Sequence, residues 1–132
     1  GNLPLLVARC AEVLSRPDVE VVLVDNGSRD GTPRILPDLI APHPTMRSVR
    51  VEVNQGYGFG ILSGLRAARG EVLAWTHADM QTDPKDAVTG LSLFDADPRP
   101  EQVFVKGLRS GRPAFDVAFT VGMSLFESAL MG

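Results

Sequence analysis

The chain has 132 residues, enough for one domain, and its 44% hydrophobic and 22% charged composition is ordinary for a soluble α/β core. A formal net charge of −3 argues against the basic face that nucleic-acid binding needs. A single cysteine excludes an internal disulfide, and no apolar run approaches the ~20 residues of a membrane span.

In chain order, "NLPLLVARCAEVLSR" sets Leu3, Leu6, Val7, Cys10, Val13 and Leu14 at helical spacing, with Asn2 as N-cap and Pro4 in the first turn. Cys10 reads as a buried thiol, compatible with a reducing compartment. "VEVVLV" (19–24) is a strand and "DNGSRDGT" the loop after it. Thr32 and Pro33 open a short helix that "APHPT" ends. "SVRVEV" (48–53) is a second strand and "NQGYGFG" a second loop, followed by a helix to Ala68. "EVLAWT" (71–76) is a third strand with Trp75 in the core, then comes a helix from Pro84 to Phe94, and "VFVKG" (103–107) is a fourth strand. From Asp116 the chain reads as an apolar helix that packs in the core, with peripheral membrane contact as the second reading. The alternation predicts a single α/β domain with a doubly wound, mostly parallel sheet. Ligands in such sheets bind beyond the carboxyl ends of the strands, where "DNGSRDGT", "NQGYGFG" and "HADMQTDP" all emerge.

The third loop crowds His77, Asp79, Gln81 and Asp83 together. In an extended segment Asp79 and Gln81 share a face, and their oxygens suit Mg²⁺ or Mn²⁺, which complete their shells with substrate phosphates. The bland alternative is a solvated turn, and Asp83 before Pro84 is better read as a helix cap. Asp25 ends a strand and can accept hydrogen bonds from a base or ribose, or simply form the turn before Asn26 and Gly27. Ser28, Asp30 and Thr32 fasten the loop and cap the helix. The glycines of "GYGFG" miss the dinucleotide pattern in both registers, at Ile61 and at Ser63, so they keep the backbone low beside a ligand instead. Asp95 to Asp97 follow a helix and precede "PRP", which marks a solvated loop. Arg109 and Arg112 in "KGLRSGRP" carry the planar donors that suit phosphate.

Taken together, "VDNGSRDGT", "NQGYGFGILSGLRAARGE", "HADMQTDP" and "KGLRSGRP" resemble the ordered motifs of family-2 glycosyltransferases of the GT-A fold, closest to the dolichyl- or polyprenyl-phosphate sugar transferases. The resemblance covers nearly the whole chain. It implies transfer of a sugar from a nucleotide-sugar donor to an acceptor, a polyprenyl or dolichyl phosphate, with a divalent metal. It implies that Asp79 and Gln81 hold the metal. Asp25, Asn26, Gly56, Gly58, His77 and Ala78 would lie along the nucleotide, and Arg109 and Arg112 would face donor or acceptor phosphate. Ala78 and Met80 would pack inward between the ligands. The expected location is cytoplasmic, at the membrane face if the acceptor is a lipid.

Three departures stand out. His77 replaces an Asp of the pattern and Asn26 replaces another. The family's first strand and its P-x-Y/N-E loop have no counterpart, so the chain is expected to be a partial GT-A domain that binds donor poorly. The rival readings are a nucleotidyltransferase with a similar crevice and a nucleotide-binding fragment without turnover.

Overall fold

The computed structural model describes residues 2–107. Helix α1 (Leu3–Val13) buries Leu6, Val7, Cys10 and Val13, one stripe at spacings of three and four residues. Pro4 lies in the first turn, where its missing N–H costs nothing, and Asn2 occupies the cap position without a side-chain capping bond. Strands β1 (Val21–Asn26) and β2 (Met46–Val51) pair in parallel, Val21 beside Met46 through Asn26 beside Val51. Parallel pairing demands a crossover, supplied by α2 (Thr32–Ile40). Helix α3 (Tyr57–Ala67) follows β2, and α4 (Pro84–Ala96) packs on α1. A single 3₁₀ turn covers Pro100–Gln102.

Successive strand residues point to opposite faces, which sorts the layers. Val21 and Leu23 join Leu6, Val7, Cys10, Leu36 and Met46 in a core under α1 and α2. Val24 and Asn26 face α3, whose Gly60 and Gly64 let the helix approach: a Cβ on Gly64 would stand 2.7 Å from Val24 Cγ2. Helices therefore cover both faces of a parallel sheet, the mixed α/β architecture expected. The far end of the sheet is fastened by Glu20. It accepts from Arg47 Nε at 3.1 Å and from the Arg69 amide, while Arg47 also donates to the Ala67 carbonyl. Lys85 and Glu12 pair between α4 and α1.

Two expected strands do not form. Among the described residues the sheet has two strands, and neither 71–76 nor 103–107 pairs with it. Apolar content makes a strand only where a neighbouring backbone takes up its N–H and C=O groups. Without such a neighbour, Leu73 and Phe104 face solvent, and Trp75, expected in the core, is 54% exposed. Both observed strands are also offset by two residues from the apolar runs, β1 later and β2 earlier, so Asp25 and Asn26 belong to β1 itself. Cys10 is buried as expected. Among the described residues no helix is long and apolar enough to cross a membrane.

Candidate functional site

The carboxyl end of β1 presents two polar residues to opposite faces. Asp25 turns toward α2 and is buried. Its Oδ1 accepts the Ser28 amide at 2.9 Å, and its Oδ2 accepts Arg50 Nη1 at 2.5 Å from the in-register position of β2. Burial alone would raise the Asp25 pKa; the Ser28 hydrogen bonds and the Arg50 charge outweigh it, and the carboxyl sits below its usual range. A cavity of about 150 Å³ beside the pair is lined by Pro33, Leu36, Pro37, Ser48 and Val49.

Asn26 turns toward α3. Its Nδ2 donates to the Gly56 carbonyl at 3.1 Å and to Asn54 Oδ1 at 3.4 Å. Asn54 Oδ1 in turn accepts the Gly56 amide at 2.8 Å. One side chain thus ties the first loop to the second. Among the described residues Asn26 Oδ1 is buried and accepts no hydrogen bond, an orphan acceptor beside the loops. Gly27 (φ 76°) and Gly56 (φ 97°) adopt the left-handed region, and a Cβ on Gly27 would fall 2.6 Å from the Asn54 amide nitrogen. Gly58 lies in the first turn of α3, and among the described residues a Cβ there would meet nothing within 4 Å outside its own helix and chain neighbours.

The second loop meets the third through rings. Tyr57 stacks on His77 at 5.4 Å with an interplanar angle of 17°, its hydroxyl 3.1 Å from Nε2 and 3.2 Å from Nδ1. Trp75 packs edge-on against both. His77 is therefore held by neighbours that spacing alone did not reveal. Asp25 and Asn26 at the end of β1, Gly56 and Gly58 at the start of α3, and His77 in the third loop are thus brought to segments joined by contact.

At Asp79 the expected extended geometry gives way to a turn. Met80 has φ 67°, rare for a residue with a side chain, and the Gln81 amide donates to Asp79 Oδ1 at 2.9 Å. Asp79 and Gln81 therefore do not share a face of one extended segment, because a left-handed residue separates them. Met80 packs against the core as expected, but Ala78 is exposed rather than turned inward. Asp83 caps α4, accepting the Lys85 amide at 2.9 Å, so it serves the helix. Asp97 accepts the Arg99 amide in the loop after α4, away from the three loops. Arg109, Arg112 and the apolar segment from Asp116 lie outside the described residues.

A divalent cation fits the chemistry at Asp79. Its carboxylate is exposed, and Oδ2 accepts no hydrogen bond among the described residues. Carboxylate and amide oxygens suit a hard cation that draws its other ligands from phosphate and water. Among the described residues no three His, Cys, Asp or Glu side chains gather into a complete protein cage.

Residues 2–107 match the family described as "Glycosyl transferase family 2". An undecaprenyl-phosphate 4-deoxy-4-formamido-L-arabinose transferase of Aeromonas hydrophila is 30% identical over 90 residues, 65% of this chain and 27% of the relative. The enzyme of the same name from Pseudomonas fluorescens SBW25 is 35% identical over 89 residues, 64% of this chain and 26% of its own. An uncharacterized glycosyltransferase of Bacillus subtilis, YfnE, is 38% identical over 63 residues, 48% of this chain and 16% of its own. The matches span at most 27% of these three relatives. No solved structure matches significantly.

Proposed function

Because the chain belongs to glycosyl transferase family 2, we propose that it carries the donor-binding part of an enzyme moving a sugar from a nucleotide sugar to a polyprenyl phosphate. The observation that carries this reading is the junction of three loops at one end of the sheet: Asn26 bonded to Gly56, and Tyr57 stacked on His77. A crevice at the carboxyl ends of parallel strands is where such folds bind nucleotides. The polyprenyl-phosphate acceptor follows from two relatives that are undecaprenyl-phosphate sugar transferases by name.

In this reading Asn26, Gly56, Gly58, His77 and Ala78 line the nucleotide, and Asp25, buried behind them, holds the backbone of the first loop against it. The loop glycines leave room for its backbone-side approach, and the orphan Oδ1 of Asn26 supplies an acceptor for a hydroxyl or N–H of the donor. Asp79 and Gln81 would supply the oxygens that hold Mg²⁺ or Mn²⁺. When bound, the cation neutralises charge developing on the departing diphosphate. Arg109 and Arg112 add guanidinium donors for donor or acceptor phosphate. An oxygen of the lipid phosphate attacks the anomeric carbon as the bond from that carbon to the diphosphate oxygen breaks. The products are a lipid-phosphate sugar and a nucleoside diphosphate. The nucleophile is already anionic, so no side chain has to remove a proton. The enzyme would work at the cytoplasmic face of a membrane.

The test incubates the chain with a panel of nucleotide sugars, undecaprenyl phosphate and Mn²⁺. Release of nucleoside diphosphate with formation of glycolipid supports the proposal. Release of pyrophosphate would instead assign a nucleotidyltransferase, and donor binding without release a non-catalytic module.

A further inference from the structure

Arg50 has no place in the motifs, yet it touches the candidate site at a decisive point. It stands in register with Asp25 across the parallel pair, so β-sheet geometry delivers its guanidinium to the end of β1. Nη1 meets Asp25 Oδ2 at 2.5 Å, and Nη2 makes a longer 3.5 Å contact with the Ser28 carbonyl. The other carboxylate oxygen receives the Ser28 amide. Both ends of the tight turn from Asp25 to Ser28 are therefore pinned to one guanidinium. Between them, Gly27 is left-handed and backs directly onto Asn54 of the second loop.

We propose that Arg50 is a positioning residue of the donor site: acting through Asp25, it holds the loop after β1 in the shape that meets the nucleotide. This deepens the donor-binding reading above and rests on it. The Asp25 side chain is only 3% exposed, and its two oxygens are engaged by Arg50 and Ser28. Its main service is thus to the loop, whose backbone and neighbouring Asn26 are left to meet the ligand. Removing Arg50 leaves a buried carboxylate without its counter-charge, a far larger disturbance than losing a surface ion pair. The turn then has to open to let water reach Asp25. Arginine suits the role because its planar fork reaches two acceptors at once, whereas a lysine ammonium is a point donor. The exposed contact of Arg50 with Glu52 at 3.4 Å is peripheral to this function.

The test uses the full chain and the variants Arg50→Met, Arg50→Lys and Glu52→Gln. Calorimetry with uridine diphosphate and guanosine diphosphate in Mn²⁺ reads affinity, and amide hydrogen exchange reads the Ser28 N–H. Arg50→Met is expected to weaken nucleotide binding and to speed Ser28 exchange by about tenfold or more, the factor that 1.4 kcal/mol represents. Arg50→Lys should recover part of both, and Glu52→Gln should change neither. If Arg50→Met binds nucleotide and protects Ser28 as the unaltered chain does, the proposal is overturned while the donor reading stands. If the unaltered chain binds neither nucleotide, the donor reading fails, and a positioning role for Arg50 fails with it.

Discussion

Asn26 donates its side-chain amide to the Gly56 carbonyl and to Asn54 Oδ1, and both partners are acceptors. That fixes the orientation of the amide and sets a condition on the residue: position 26 must supply a donor toward the second loop. The family pattern has an acid here, and a carboxylate would turn oxygen toward oxygen. Asn26→Asp is therefore expected to destabilise the chain by about 1 kcal/mol at neutral pH. The introduced carboxyl would have a raised pKa in the folded state, since only its protonated form can donate. The deficit should then shrink as pH falls through that titration. Urea melts at pH 7 and pH 4 measure it, and a deficit independent of pH would remove the amide bridge as its cause.

Glycines at the same helix have opposite roles. A Cβ at Gly64 meets Val24 Cγ2 at 2.7 Å, and valine is stiff about χ1, so α3 would have to lift from β1. Gly64→Ala should cost about 1–3 kcal/mol from overpacking, against a helix-propensity gain of at most ~1 kcal/mol. Among the described residues, nothing beyond its chain neighbours and its own helix's backbone lies within 4 Å of the same position at Gly58. Gly58→Ala should be neutral or stabilising by up to ~1 kcal/mol. Denaturation midpoints that rank the two variants in the reverse order would contradict the packing of α3 on β1.

The helices were legible because their signals are local. Pro4, Thr32–Pro33 and Asp83–Pro84 mark starts, and the apolar stripe of α1 needs no partner to be recognised. The segments 71–76 and 103–107 have the composition of strands, but strand formation depends on a neighbour that composition does not encode. The site was readable as three loops and less so as geometry. Nothing in the spacing of Asp79 and Gln81 announced that Met80 would turn left-handed, although an Asp side chain that accepts the backbone amide two residues on is a known turn former. Arg50 was invisible until the register placed it opposite Asp25. Tyr57 and Trp75 reached His77 only through the fold.

Acid should weaken the chain through two carboxylates. Burial raises the Asp25 pKa, but its bonds to Ser28 and its pairing with Arg50 leave it lowered; Glu20 is lowered chiefly by the Arg69 amide, with Arg47 assisting. A carboxyl whose folded pKa lies below its unfolded one contributes stability that is present above the unfolded value. That contribution is lost as pH falls through the folded value. Melting temperature should hold from pH 7 down to the ordinary carboxylate range near pH ~4 and fall below it. Asp25→Asn should lower the plateau and flatten the fall. A wild-type profile with no acid limb would contradict the pairing.

Asp79 and Asp97 offer a matched comparison for the proposed metal. Each is exposed, and each accepts the backbone amide two residues ahead, Gln81 at 2.9 Å and Arg99 at 2.8 Å. They differ in place: Asp79 follows His77, which touches the second loop through Tyr57, whereas Asp97 lies beyond the end of α4. If location at the three-loop junction determines metal binding, Asp79→Ala should abolish the Mn²⁺-dependent part of nucleoside diphosphate binding. Asp97→Ala should leave it within about twofold, as expected of a surface change of ±0.5 kcal/mol. Gln81→Ala should weaken it less than Asp79→Ala, because an amide oxygen contributes no charge to the cation. Calorimetric titrations with and without Mn²⁺ separate the metal-dependent part from the rest. Equal losses in the Asp79 and Asp97 variants would show that local turn chemistry, and not the junction, governs the effect, and the metal assignment to Asp79 and Gln81 would be withdrawn.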